Sequence, residues 1–214
     1  MRRVAVIDYG MGNLRSVSKA LEAVSGQSAQ VIVSSDPDAI LSASHVVFPG
    51  VGAIRDCIDE LKRLGLDEVV KEAASSKPFM GICLGMQAML SHSAENNGID
   101  ALDIIPGEVK AFHKPLSAQG DKLKVPHMGW NQVHQTCNHP LWNNIEQDSR
   151  FYFVHGYFVS PADPALVAAT THYGNKFASA IYRDNVFATQ FHPEKSQSAG
   201  LQLLENFVNW DGQN

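Results

Sequence analysis

The sequence predicts an α/β fold with a central, mostly parallel sheet flanked by helices and a nucleophile elbow at a strand-to-helix turn. Three observations carry this. Apolar runs alternate with amphipathic stretches through roughly the first half of the chain, and a βαβα order of this kind favours a parallel sheet covered on both faces. Short β-rich runs divided by turn residues fill the second half, as in antiparallel or mixed strands joined to the same sheet. A cysteine, Cys83, stands between Gly81 and Gly85, where an apolar run gives way to a helical pattern.

The elements follow in order. RRVAVIDYG reads as a buried strand, and NLRSVSKALEAV as a helix with Leu14, Val17, Leu21 and Val24 on one face, stopped by Gly26. AQVIVSS is a second strand. In SDPDAILSA, Ser35 or Asp36 serves as N-cap with Pro37 in the first turn. HVVFPG is a third strand, and the helical stretch from Ile54 to Ser75 breaks near Gly65. KPFMGIC is a fourth strand and LGMQAMLSHS a helix. Later strands are PGEVKAF, WNQVH, RFYFVHGYFVS, ALVAATTHYG, KFASAIYRD and NVFATQFHPE. SAGLQLLENFVNW closes the chain as a helix with Leu201, Leu204, Phe207 and Val208 on its apolar face. With no linker or internal repeat, a single domain over residues 1–214 is expected.

The 214 residues are 44% hydrophobic and 18% charged, enough for a sizeable core. A net charge of −5, without basic runs, argues against non-specific nucleic-acid binding. Asp8 interrupts the first apolar run, so neither a signal peptide nor a membrane span is expected, and the default location is cytoplasmic. The cysteines Cys57, Cys83 and Cys137 are three in number and widely spaced, which suggests neither a disulfide framework nor a zinc site. Cys57 falls in a helical pattern as a packing residue, and Cys137 in a loop-like stretch.

Cys83 alone has a setting suited to chemistry. Small flanking residues permit the sharp turn that exposes a nucleophile, and the positive end of the following helix favours a thiolate. Helix N–H groups can also donate to an oxyanion. The plainer reading is a small buried cysteine with two packing glycines. A base is available in QFHPEKSQ, where His192 precedes Glu194 by two residues. In an extended segment both side chains face one way, so Glu194 can hold one imidazole nitrogen while the other meets Cys83. Pro193 stiffens the backbone between them. Oxyanion donors can come from FPGVGAI, where Gly50 and Gly52 let the chain approach a ligand closely. If the third and fourth strands are neighbours, this loop lies beside the elbow. DYGMGN is a third glycine-rich loop, but Arg15 stands where G-x-G-x-x-G requires glycine, so a dinucleotide site is not expected.

Taken together, GICLGMQ and FHPEKSQ resemble the nucleophile elbow and His-x-Glu segment of the triad, or class I, glutamine amidotransferases. DYGMGNLRSV, PGVGAI, KVPHMGWN and YFVHGY are similar to one branch, the glutaminase subunits of imidazole glycerol phosphate synthase in histidine biosynthesis. The matches run from Asp8 to Gln197. The resemblance implies hydrolysis of glutamine to glutamate and ammonia, with no cofactor and no metal. It implies attack by Cys83, an oxyanion held by the amides of Leu84 and of Val51 or Gly52, and proton transfer by His192 oriented by Glu194. It further implies that Gln87 and Glu95 hold the substrate, Glu95 at the α-amino group, with backbone near His155 and Gly156 at the α-carboxylate. Two positions depart from the pattern. Ile54 stands where an aromatic is frequent, and Gly156 where a hydroxyl residue is common.

The implied partner is a (β/α)₈-barrel cyclase that consumes the ammonia and makes imidazole glycerol phosphate and an aminoimidazole carboxamide ribotide. Pro126, Met128, Trp130 and Lys195 are expected at that interface, although Met128 and Trp130 could also be core. Three alternatives compete. The glutaminase partner of another synthase lacks the branch motifs. A stand-alone cysteine hydrolase would have no use for KVPHMGWN. A non-enzymatic scaffold would be expected to have lost Cys83, His192 or Glu194.

Overall fold

The computed structural model describes residues 1–112, 120 and 122–213. The chain begins with β1 (Arg2–Ile7), α1 (Leu14–Ser25), β2 (Ala29–Ser34), α2 (Pro37–Leu41), β3 (His45–Gly50), α3 (Ile54–Leu64), α4 (Leu66–Ser76), β4 (Phe79–Cys83) and α5 (Leu84–Ala88). It continues through β5 (His92–Ser93), β6 (Ile99–Asp100), β7 (Gly107–Ala111), β8 (His127–Gln132), β9 (His134–Gln135) and β10 (Arg150–His155). Then come β11 (Tyr157–Pro161), β12 (Val167–Tyr173), β13 (Asn175–Arg183), β14 (Val186–Thr189) and α6 (Gln197–Asn209).

The main sheet runs β2-β1-β3-β4-β14-β13-β11-β7-β5-β6, with β12 and β9 attached beyond β13. Strands β2, β1, β3, β4 and β14 pair in parallel, and β13 begins the antiparallel half. Period-two alternation divides each central strand between two cores. Ala5, Ile7, Val46 and Phe48 join one with Ile58, Leu61, Val70 and Met86 of the helices α3, α4 and α5. Val4, Val6, Val47, Met80 and Ile82 join the other with Val17, Leu21, Leu203 and Phe207 of α1 and α6. Helices therefore cover both faces, as the βαβα order predicts. Asp36 caps α2, its carboxylate accepting from the Asp38 N–H, and Gly65 breaks α3 from α4 at φ 67°.

Three expectations need correction. The elbow helix is shorter than its apolar pattern suggests. It ends at Ala88 because the chain is captured by β7: the Ser91 N–H donates to the Gly107 carbonyl at 3.1 Å, and His92 and Ser93 pair with Glu108 and Val109. RFYFVHGYFVS is not one strand of the main sheet. Gly156 divides it, so β11 stays with β7 and β13, while β10 pairs with β8 in a separate two-stranded sheet. The apolar face of α6 runs through Gly200, Leu203, Leu204, Phe207 and Val208, one regular i, i+3, i+4 stripe, and Leu201 lies outside it, exposed. Among the described residues no helix is long and apolar enough to cross a membrane.

Candidate active site

The elbow is built as the glycine pattern requires. Cys83 ends β4 and caps α5 with φ 54° and ψ −108°, a conformation costly for a residue with a Cβ. A Cβ on Gly85 would lie 1.9 Å from the Phe48 carbonyl oxygen, and one on Gly81 would lie 2.8 Å from Met89 Sδ. Only glycine lets the turn press this closely against β3 and α5. β3 and β4 pair in register with Gly50 opposite Cys83, which brings the loop of residues 49–53 beside the nucleophile. The Tyr9 hydroxyl, fully buried, donates to the Pro49 carbonyl at 3.1 Å and ties down the start of that loop.

His192 follows β14, and its backbone N–H donates to the Tyr152 carbonyl. Its Nδ1 meets Glu194 Oε1 at 2.8 Å, with the two side chains 2% and 0% exposed. The expected strand alternation is not what brings them together. Pro193–Lys195 form a 3₁₀ turn, closed by the Lys195 N–H and the Ser196 hydroxyl donating to the His192 carbonyl. Asn13 Nδ2 also donates to Glu194 Oε1 at 3.3 Å. The loop of residues 8–13 thus supports the carboxylate from behind, a role its sequence did not reveal.

His192 Nε2 is buried, and with Nδ1 held by Glu194 it is the nitrogen left to meet Cys83. Burial disfavours the imidazolium, but hydrogen bonding and charge interaction with the Cys83 sulfur and the Glu194 carboxylate together outweigh it and raise the His192 pKa to about 10. At Cys57, burial outweighs the opposing hydrogen bond with Tyr9 and pushes the thiol up to about 12, so Cys57 is a packing residue. The Cys83 sulfur lies 3.9 Å from the Val154 carbonyl oxygen and 3.8 Å from Gln190 Nε2.

A cavity of about 280 Å³ opens onto Cys83 and His192, at the small end for ligand pockets. Its walls include Val51, Gly52, Leu84, Gln87, Glu95, Pro126, His155 and Gly156. The expected oxyanion and substrate residues are therefore all at one pocket, with Glu194 behind His192. Glu95 is no solvated loop charge: it is half-buried, and its Oε2 accepts from the Ile54 N–H at 3.2 Å. Ile54 itself is fully buried, so its departure from an aromatic is a matter of packing. Gln87 lines the pocket with its amide nitrogen already bonded within the protein. Its Nε2 donates to the Tyr157 carbonyl at 3.0 Å and to Gln190 Oε1 at 2.9 Å, so both amide hydrogens are engaged within the protein. Gln190 is the partner that sequence reasoning missed, two residues before the histidine it flanks.

On β8, Met128 and Trp130 are 63% and 42% exposed, which removes the option that they are core. Trp130 packs edge-on against Tyr152 at 6.1 Å, and Lys195 Nζ lies 5.9 Å from the same ring. Pro126 lies between this ridge and the cavity.

Comparison with known proteins agrees with this geometry. The family described as "Glutamine amidotransferase class-I" matches residues 5–210. Proteins named imidazole glycerol phosphate synthase subunit HisH are similar along the whole chain. The one from Pseudomonas putida is 56% identical and the one from Nitrosococcus oceani 59% identical, each over 212 residues and 99% of both chains. Among solved structures, a putative GMP synthase subunit from Thermoplasma acidophilum superposes with a TM-score of 0.70 at 19% identity, over 98% of this chain and 93% of that one. PurLQS from Thermotoga maritima superposes at 0.72 and 18% identity, over 97% and 98%. At those identities the superpositions speak for the fold alone, whereas the full-length relatives speak for the family: the chain belongs to the class I glutamine amidotransferases, enzymes whose nucleophile-elbow fold it shares.

Proposed function

We propose that the chain, acting as one amidotransferase domain over residues 1–214, is the glutaminase subunit of an imidazole glycerol phosphate synthase in histidine biosynthesis. The observation that carries the reading is a buried imidazole bound to Glu194 that lines the same pocket as a strained cysteine. The proton of Cys83 resides on His192 as Sγ attacks the carboxamide carbon of glutamine. The oxyanion is received by the Leu84 amide and by the Val51 or Gly52 amide. His192 passes its proton to the departing nitrogen, ammonia leaves, and a glutamyl thioester remains. His192 then takes a proton from water, whose oxygen attacks the thioester, and glutamate departs as the thiol is restored. Glu95 takes the α-amino group and the backbone of His155 and Gly156 the α-carboxylate.

The ammonia is delivered to a barrel cyclase, which uses it to form imidazole glycerol phosphate and the aminoimidazole carboxamide ribotide. The exposed Met128 and Trp130, with Pro126 and Lys195, suit the docking side because Pro126 lines the pocket that must be shielded from water and Met128 shares the neighbouring hollow with it. A cytoplasmic setting belongs to the same reading, since Cys57, Cys83 and Cys137 are all free thiols.

The test is glutamate release by the chain alone and with the cyclase and its ribonucleotide substrate. Stimulation of roughly tenfold or more is expected on adding the loaded cyclase. Cys83→Ala should abolish turnover, a loss of roughly 10⁴-fold or more. High turnover indifferent to the cyclase would instead identify a stand-alone hydrolase.

A further inference from the structure

Behind the wall of the pocket lies a chain of hydrogen bonds that the triad does not use. His155 Nδ1 is 2.7 Å from the Tyr157 carbonyl oxygen, and its Nε2 is 2.9 Å from His127 Nδ1. His127 Nε2 is 3.2 Å from Asn131 Nδ2. The direction of every bond can be derived. A carbonyl only accepts, so His155 carries its proton on Nδ1 and, as a neutral ring, accepts at Nε2. His127 must then donate from Nδ1 and accept at Nε2. The far end agrees independently. Asn131 Nδ2 also donates to the His172 carbonyl at 3.0 Å, while its Oδ1 accepts from the Gln132 N–H at 2.8 Å, which fixes the amide as a donor toward His127.

The setting favours neutral rings throughout. Burial lowers the His127 pKa to about 4. Burial, with the charges of His127 and His192 acting in the same direction against the bond to Tyr157, lowers that of His155 to about 3. His127 is stacked between Phe153 at 4.8 Å and Tyr173 at 4.0 Å, so the ring cannot turn to exchange its nitrogens without unpacking. His127 lies directly opposite His155 in the β8–β10 pair. The Tyr157 carbonyl that ends the chain is the one that also receives Gln87, whose amide continues through Gln190 to the Cys83 sulfur.

We propose that Asn131 and His127 are positioning residues that, through the hydrogen bond His127 donates into His155 Nε2, hold the pocket wall formed by His155 and Tyr157 in its binding geometry. The effect on glutamine rests on the function proposed above; the tautomers do not.

The test combines ring spectroscopy with kinetics. In the ¹⁵N-histidine-labelled chain at neutral pH, His127 and His155 should both show the neutral Nδ1–H pattern. His45, whose Nε2 faces the Trp210 carbonyl at 2.8 Å, should show the opposite Nε2–H pattern and reports that a variant is folded. His127→Phe keeps the stack but neither donates nor accepts. His155 should keep its Nδ1–H pattern, set by the Tyr157 carbonyl, while its Nε2 signal moves to that of a nitrogen with no donor. With the cyclase bound, the KM for glutamine should rise about tenfold while kcat changes by less than about threefold, as expected for one lost buried hydrogen bond away from the triad. Asn131→Asp sets a carboxylate at His127 Nε2, as Glu194 stands at His192, so His127 should take up a second proton and show the imidazolium pattern while still donating to His155, with a smaller rise in KM than in His127→Phe. An Nε2–H pattern at His155 in the unaltered chain, or an unchanged His155 Nε2 signal or KM in a folded His127→Phe variant, would overturn the proposal. Should no chain turn over glutamine at all, the function proposed above fails, and the ring signals still decide this one.

Discussion

At the scale of single residues, His192 sets the pH behaviour. Its pKa stands near 10 in the fold against 6.5 in a free side chain. At neutral pH the ring is therefore charged and ready to give a proton to the leaving nitrogen. The folded state binds that proton more tightly than the unfolded chain does. The stability from this group is complete below about pH 6.5 and is lost as pH rises through about 10. Denaturant unfolding should accordingly show stability falling between those two limits, with a shallower fall in Glu194→Gln, where the ring loses its carboxylate. Cys83→Ala should lower the His192 pKa in an NMR titration, because it removes the other group that favours the cation. An unchanged titration in both variants would show that neither neighbour raises it.

At the scale of elements, the elbow and the closing helix carry the clearest expectations. Gly85→Ala forces a Cβ to within 1.9 Å of the Phe48 carbonyl, and backbone cannot yield as a flexible side chain can. The cost should exceed about 3 kcal/mol, read as a lowered unfolding midpoint. On α6, Leu204 is fully buried and Leu201 is 38% exposed. Leu204→Ala should cost about 2–5 kcal/mol, and Leu201→Ala no more than about 0.5 kcal/mol. Equal losses would mean that the helix sits in a different rotation. Periodicity identified α6 as a helix but assigned Leu201 to its apolar face, because a heptad-like count does not by itself choose between adjacent stripes. The elbow helix shows the reverse limit. Its apolar pattern continues past Ala88, yet β7 offers residues 91–93 a sheet edge, and pairing over distance outweighs local preference.

At the scale of the whole molecule, the separate β8–β10 sheet carries the exposed ridge of Met128 and Trp130 and, with the start of β11, supplies a wall of the pocket. Met128→Ala and Trp130→Ala should weaken the complex with the cyclase by roughly tenfold or more in Kd, measured by titration calorimetry, while leaving the thermal midpoint of the isolated chain nearly unchanged. A lowered midpoint with unaltered affinity would return both residues to a structural role. The parallel half of the fold, the elbow at Cys83, the His192–Glu194 pair and the glycine loop at Val51 were all legible in the sequence. Each is a local signal: alternation between strand and helix, a glycine on either side of a turn, two residues apart on one short segment. What only the tertiary structure decided depends on residues far apart in the chain. Asn13 reaches Glu194 across 181 positions, Gln87 reaches Gln190 across 103, and His127 reaches His155 across 28. These partners are ordinary polar side chains whose meaning lies in the direction of a single hydrogen bond, and no spacing rule encodes that direction until sheet order and register have brought donor and acceptor together.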